Sequence, residues 1–206
     1  MRRSLLAIAC ASTVTAALAA PPGSQDPDWP CMQIKVPELS VASVWAGPPV
    51  DAYLANWSAD AEVADLAPRL MQRRLSLEEA KVDIASFAEK AGAQKQPKLL
   101  ALFAGLFDEA NRERGSVLTG LDRFGHRQKE LAASIRAENE KLQAMQSAAS
   151  ADEKQVADQQ NRLTLDLQVF QDRRQSISYA CEAPGLIEQR LFALSRAIAA
   201  ALQQTG

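Results

Sequence analysis

The sequence predicts an all-α fold: a helical bundle base, a projecting antiparallel coiled-coil hairpin and an extended N-terminal strap. Composition is the first of three observations behind this. The 206 residues are rich in Ala, Leu, Gln, Glu and Arg, poor in β-branched residues, and include 9 Gly, a balance that favours helix over strand. Second, seven of the 10 prolines fall between residues 20 and 50, where they forbid a long helix. Third, two hydrophobic heptad seams mirror each other about residue 151.

On the first arm Leu121, Phe124, Gln128, Leu131, Ile135, Glu138, Leu142 and Met145 follow one another by alternating steps of three and four. On the second, Val156, Gln160, Leu163, Leu167, Phe170, Arg174, Ile177 and Cys181 do the same. This spacing is that of a coiled-coil seam. Folded back, it sets Met145 against Val156, Ile135 against Leu167, Leu131 against Phe170 and Phe124 against Ile177. Gln128 then faces Arg174, and Glu138 and Gln160 fall in adjacent layers. Polar seam residues lower stability but fix register, which is the preferred reading over a docking site for a partner helix. The hairpin is expected over residues 121–181, with its tip at about 147–152.

In chain order, residues 1–19 read as a secretory signal peptide: Arg2-Arg3, an apolar stretch, then the small-residue pattern Ala17-Leu18-Ala19. Cys10 lacks the leucine-containing context of a lipid-modified cysteine, so simple removal with the signal is expected. Residues 20–50 form the strap, held on the helical body by Trp29, Trp45 and Cys31. A binding tail is the alternative for this segment. Asp51 to Trp57 is a short amphipathic piece, and a first helix runs from about Asp60 to Arg73, with Pro68 bending it or marking a start. Ser76 and Glu79 make a capping box opening a helix that buries Ala80, Ile84, Phe87 and Ala88 and stops at Gly92.

Pro97 suits the start of the next helix, whose apolar face comprises Leu99, Leu100, Phe103, Leu106, Phe107 and Ala110. Gly115, Gly120 and Gly125 predict a bend further along. At the tip, Ser150 and Glu153 read as a second capping box. The return arm is expected to break at Pro184-Gly185, leaving a last helix from about Leu186 to Gln203. The base bundle therefore comprises residues 51–120 plus 182–206.

With the signal removed, Cys31 and Cys181 remain. An even cysteine count in an oxidising compartment predicts one disulfide, pinning the strap where the hairpin joins the base. Losing Arg2 and Arg3 takes the net charge from −2 to about −4, which with no basic block argues against a nucleic-acid partner. No second apolar run has membrane-spanning length, so no transmembrane segment is expected.

Chemistry-bearing constellations are absent from the sequence. His126 is the single histidine, flanked by Arg123, Arg127 and Lys129, and reads as a solvated surface residue. One histidine and two mature cysteines do not make a zinc cluster, and no CxxCH is present for haem. Glu78, Glu79, Asp83 and Glu89 on one helix, and Asp108, Glu109 and Glu113 on the next, read as a solvated acidic face partly paired with Lys81, Arg112 and Arg114. The basic residues of the hairpin, Arg123, Arg127, Lys129, Arg136, Lys141, Arg162, Arg173 and Arg174, are interspersed with carboxylates as on an ordinary coiled-coil exterior. No catalytic, cofactor or metal site is therefore expected.

The reading that follows is an exported, non-enzymatic periplasmic or secreted protein. It would act as a scaffold or adaptor on another periplasmic or envelope protein, or self-associate through its hairpin. The projecting helices are similar to the arms of the Skp-type periplasmic chaperones. That resemblance implies a holdase for exported proteins, although this chain is acidic where those are basic and has no β-rich assembly core. The hairpins of efflux adaptor proteins are similar as well, but their β-rich flanking halves have no counterpart here. A small-ligand carrier or an enzyme in the base bundle is the remaining expectation.

Overall fold

A computed structural model describes residues 26–150 and 152–204. The expected signal peptide, Cys10 and the first strap residues lie outside the described residues. All regular structure among the described residues is helical. A single turn α1 (Val41–Val44) and a short α2 (Asp51–Leu54) precede a 3-10 turn at Trp57–Ala59. Then come α3 (Ala61–Met71), α4 (Leu77–Ala91), α5 (Lys95–Ser147) and α6 (Glu153–Gln203).

Local chemistry sets most of the boundaries. Asp60 caps α3 by accepting from the Glu62 and Val63 amides at 3.0 and 3.2 Å. The Ser76–Glu79 capping box at the start of α4 is reciprocal: the serine oxygen accepts from the Glu79 amide at 3.2 Å, and the Glu79 carboxylate accepts from the Ser76 amide at 3.0 Å. Gly92 ends α4 at φ 50°, where a side chain would be strained. Pro97 lies in the first turn of α5, where its missing N–H has no intrahelical partner to lose.

The base is organised around one stretch of α5. Every residue from Leu99 to Leu106 is buried, so this segment is apolar all round and surrounded on all sides. Val63, Leu66, Leu70 and Met71 of α3 cover it on one flank. Ile84 and Phe87 of α4, with Ile187, Leu191, Leu194 and Ile198 of α6, complete the core. Trp45 of the strap stacks on Phe103 with ring centroids 4.2 Å apart. Gly105 is required by packing: a Cβ there would meet the Trp57 ring at 2.7 Å and the Ala67 methyl at 2.9 Å.

One predicted break does not occur: α6 runs continuously through Pro184. α5 is likewise helical through Gly115, Gly120 and Gly125. A proline in a helix interior removes one hydrogen bond and crowds the preceding turn. Here Pro184 is itself buried, and the strap supplies a donor to the affected turn: the Gln33 side-chain amide donates to the Cys181 carbonyl. The tip also differs. Asp152, not Ser150, is the N-cap of α6, its carboxylate accepting from the Lys154 and Gln155 amides at 3.0 and 3.3 Å. Glu153 is thereby the first helical residue, too early to close a capping box, while an aspartate at the cap also suits the helix dipole.

α5 and α6 pair antiparallel along their length. Contacts between Gln128 and Phe170, Glu138 and Arg162, and Arg114 and Glu188 are centred between residues 149 and 151. Leu121, Leu142 and Leu163 are buried in this seam, and Phe124, Leu131, Ile135, Met145, Val156, Phe170 and Ile177 are half-buried along it. The outer part of α6 departs from the predicted face. Gln160 and Arg174 are exposed and Leu167 is 43% exposed, while Gln159 is 8% exposed and Asp166 half-buried. Residues three and four beyond each shared layer flank it at about −60° and +40° on a helix of 3.6 residues per turn. Hydropathy selects Leu167 over Asp166, but the side on which α5 lies selects Asp166. Gln128 consequently donates to the Phe170 carbonyl at 2.9 Å and not to Arg174. Glu138 pairs with Arg162 at 3.2 Å and not with Gln160.

Truncating Phe103 removes the centre of the base. Phe103→Ala is expected to cost about 3–5 kcal/mol, measured as the loss in urea unfolding free energy at unchanged far-UV circular dichroism.

Candidate interaction surface at the hairpin root

The strap lies antiparallel to α5 and is fastened to it by side-chain contacts. Asn111 Oδ1 accepts from the Leu39 amide at 2.9 Å. Arg114, 3% exposed, donates to the Pro37 carbonyl at 3.3 Å and pairs with Glu188 of α6 at 2.6 Å, joining strap and both long helices at one guanidinium. Lys35 bridges Asp122 at 2.7 Å and Asp26. His126 Nδ1 lies 3.1 Å from Asp28, and Lys129 reaches both Asp28 and the Pro27 carbonyl. Gly125 has a definite role, because a Cβ there would collide with the Asp28 carbonyl. Arg114 and Gly125 hold the strap in place, which the sequence pattern did not show: Arg114 read as surface charge, and Gly125 as a weak point in a helix.

On the α6 side the strap is covalently fixed. Cys31 and Cys181 form a disulfide with Cα atoms 5.7 Å apart, a normal separation for the bridge. Leu118, Leu121 and Cys181 form a small buried cluster under it, with Trp29 and Ile177 packed alongside. Trp29 Nε1–H donates to the Gln33 carbonyl at 2.7 Å, folding the strap back on itself around the bridge.

Between these fixings the strap is turned inside out. Gln33 and Lys35 point to the helices, as their contacts show. Met32, Ile34 and Val36 are 100%, 69% and 46% exposed. With Leu186 of α6, also exposed, they border a groove of about 800 Å³ whose floor includes Leu118, Ile177, Cys181 and Pro184. No backbone N–H from Met32 to Val36 has an acceptor among the described residues. The segment therefore presents exposed apolar side chains beside backbone N–H groups that have no acceptor among the described residues, while the Gln33 carbonyl is taken by Trp29.

Among the described residues no group of three or more His, Cys, Asp or Glu is placed to hold a metal ion, and no helix is long and apolar enough to cross a membrane. No protein-family model, no curated protein and no solved structure matches the chain.

The clasp is electrostatically tuned. Lys35, hydrogen-bonded to Asp26, holds that carboxyl below its ordinary range, and Lys129 does the same to Asp28. Asp122 and then Asp26 hold the Lys35 ammonium above its ordinary range. Carboxyls with lowered folded pKa contribute fully above the ordinary aspartate value near pH 4 and lose that contribution as pH falls through the folded value. Lys35, with its pKa raised, contributes fully below the ordinary lysine value and loses its contribution only as pH rises through the folded one. Acidification below about pH 4 is thus expected to loosen the strap, shifting the Trp29 indole N–H resonance, and Lys35→Met should flatten that acid transition. Replacing both cysteines by alanine is expected to cost about 2–5 kcal/mol in thermal or denaturant unfolding, with the largest rise in hydrogen exchange within residues 28–39.

Proposed function

We propose that this is an exported, non-enzymatic interaction protein, a scaffold or adaptor that engages an extended apolar segment of a partner protein at the root of its hairpin. The observation that carries the reading is the exposed group Met32, Ile34 and Val36 on a strap segment whose backbone N–H groups have no acceptor among the described residues. Strand addition to such an edge draws affinity from main-chain hydrogen bonds and specificity from alternate side chains. Leu186 and the groove floor supply the second wall. The Cys31–Cys181 disulfide is compatible with an exported protein, and the N-terminal sequence of residues 1–19 supplies the export signal in this reading.

A holdase chaperone is the second reading, supported by Leu165, Leu167 and Tyr179, which are exposed on the hairpin exterior. Suppression of client aggregation by a trimer would favour it, and an inert monomer would remove it.

The test of the first reading is site-specific photocrosslinking in the native cell envelope. A photoreactive residue at position 32 is expected to give one discrete adduct, lost when Ile34 and Val36 are both changed to Asp while thermal stability is retained. An adduct that survives Ile34→Asp/Val36→Asp, or one formed only from the hairpin position Ser134, would overturn the strap as the docking edge.

A further inference from the structure

The opposite side of α5 carries a different feature. At about 100° per residue, Asp122, His126 and Lys129 face the strap, whereas Gly120, Arg123 and Arg127 face away from it. Together with Phe124 and with Arg173 from α6, these last three residues line a cavity of about 400 Å³. Three arginines from two helices thus line one cavity, and none of them makes an ion pair with a carboxylate among the described residues. Of the acids on α5 around it, Asp122 is paired with Lys35 at 2.7 Å and Glu138 with Arg162 at 3.2 Å, while Glu130 lies 3.4 Å from His126. Arg123 and Arg127 stand four residues apart on one helix, a like-charge spacing that is unfavourable by itself. Gly120 keeps the cavity open, since a Cβ there would have no neighbour within 4 Å.

We propose that this cavity binds a phosphate monoester, its phosphoryl dianion held by Arg123, Arg127 and Arg173. Each guanidinium offers a planar fork of N–H donors that matches phosphate oxygens. Three forks directed from two helices fit a tetrahedral group with three terminal oxygens, whereas a planar carboxylate has only two oxygens to offer. The volume lies within the range of small-molecule sites, roughly 300–1,000 Å³, which leaves room for the group esterified to the phosphate, against the half-buried Phe124 ring. Occupancy would neutralise the guanidinium cluster and tie α5 to α6 above the disulfide.

The test uses the full exported chain in isothermal titration with inorganic phosphate, with acetate as the carboxylate control and Arg136→Gln as a hairpin charge control. Expected is saturable one-site phosphate binding, weakened at least tenfold by Arg173→Gln and abolished by Gly120→Leu, which fills the cavity without altering charge. Arg136→Gln should leave it unchanged. Flotation with phosphatidic acid vesicles but not phosphatidylcholine vesicles, lost in Gly120→Leu, would identify a lipid headgroup as the source; binding of soluble phosphate without flotation would identify a free phosphate ester. Absence of saturable binding, acetate binding as tight as phosphate, or equal losses from Arg173→Gln and Arg136→Gln would overturn the proposal.

Discussion

Everything in this protein depends on the antiparallel pairing of α5 and α6 being held in one register. Two helices of 53 and 51 residues are each close to 80 Å long at 1.5 Å per residue, and their outer seam is rich in polar residues. A seam holding Gln128, Glu138, Gln159 and Asp166 gives little hydrophobic preference between neighbouring registers. The register is imposed from the base, where Leu99–Leu106 is enclosed by α3, α4 and the last third of α6. Because α6 is unbroken at Pro184, the phase set by Leu191, Leu194 and Ile198 is carried outward into the hairpin.

The strap reinforces this arrangement where it is weakest. Pro184 removes a backbone bond from α6, and the disulfide, the Gln33 amide and the buried Arg114–Glu188 pair all act within about two turns of it. A buried arginine is costly unless its donors are satisfied. Arg114 meets that condition by using a carboxylate of α6 and a carbonyl of the strap, so neither contact is optional.

The all-α class, the antiparallel hairpin centred near residue 150, the disulfide and the Ser76 cap were legible because each rests on local spacing or on a count. What the sequence concealed depended on three-dimensional context. Proline signals describe an isolated helix, so they suggested a break at Pro184, where α6 in fact continues beneath the strap. Hydropathy favoured Leu167 over Asp166 because it carries no information on which side the partner helix lies. The inverted strap was hidden for the same reason: Met32, Ile34 and Val36 alternate as a half-buried strand would, and alternation does not reveal which face is covered. The grouping of Arg173 with Arg123 and Arg127 was invisible in a mixed-charge exterior because Arg173 lies on the other helix, 46 residues beyond Arg127 in sequence.

The position of the disulfide divides the molecule into two mechanical regimes. From Cys181 to the first turn of α6 the hairpin extends 28 residues, a reach of about 42 Å. That is several times the screening length of about 8 Å at physiological ionic strength, so charges at the tip and charges at the root do not sense one another. A force applied at the tip nevertheless arrives at the root, because both arms are continuous helix and neither contains a joint. The hairpin is therefore an arm that insulates its two ends electrically while coupling them as a lever, with the cross-linked strap as its fulcrum.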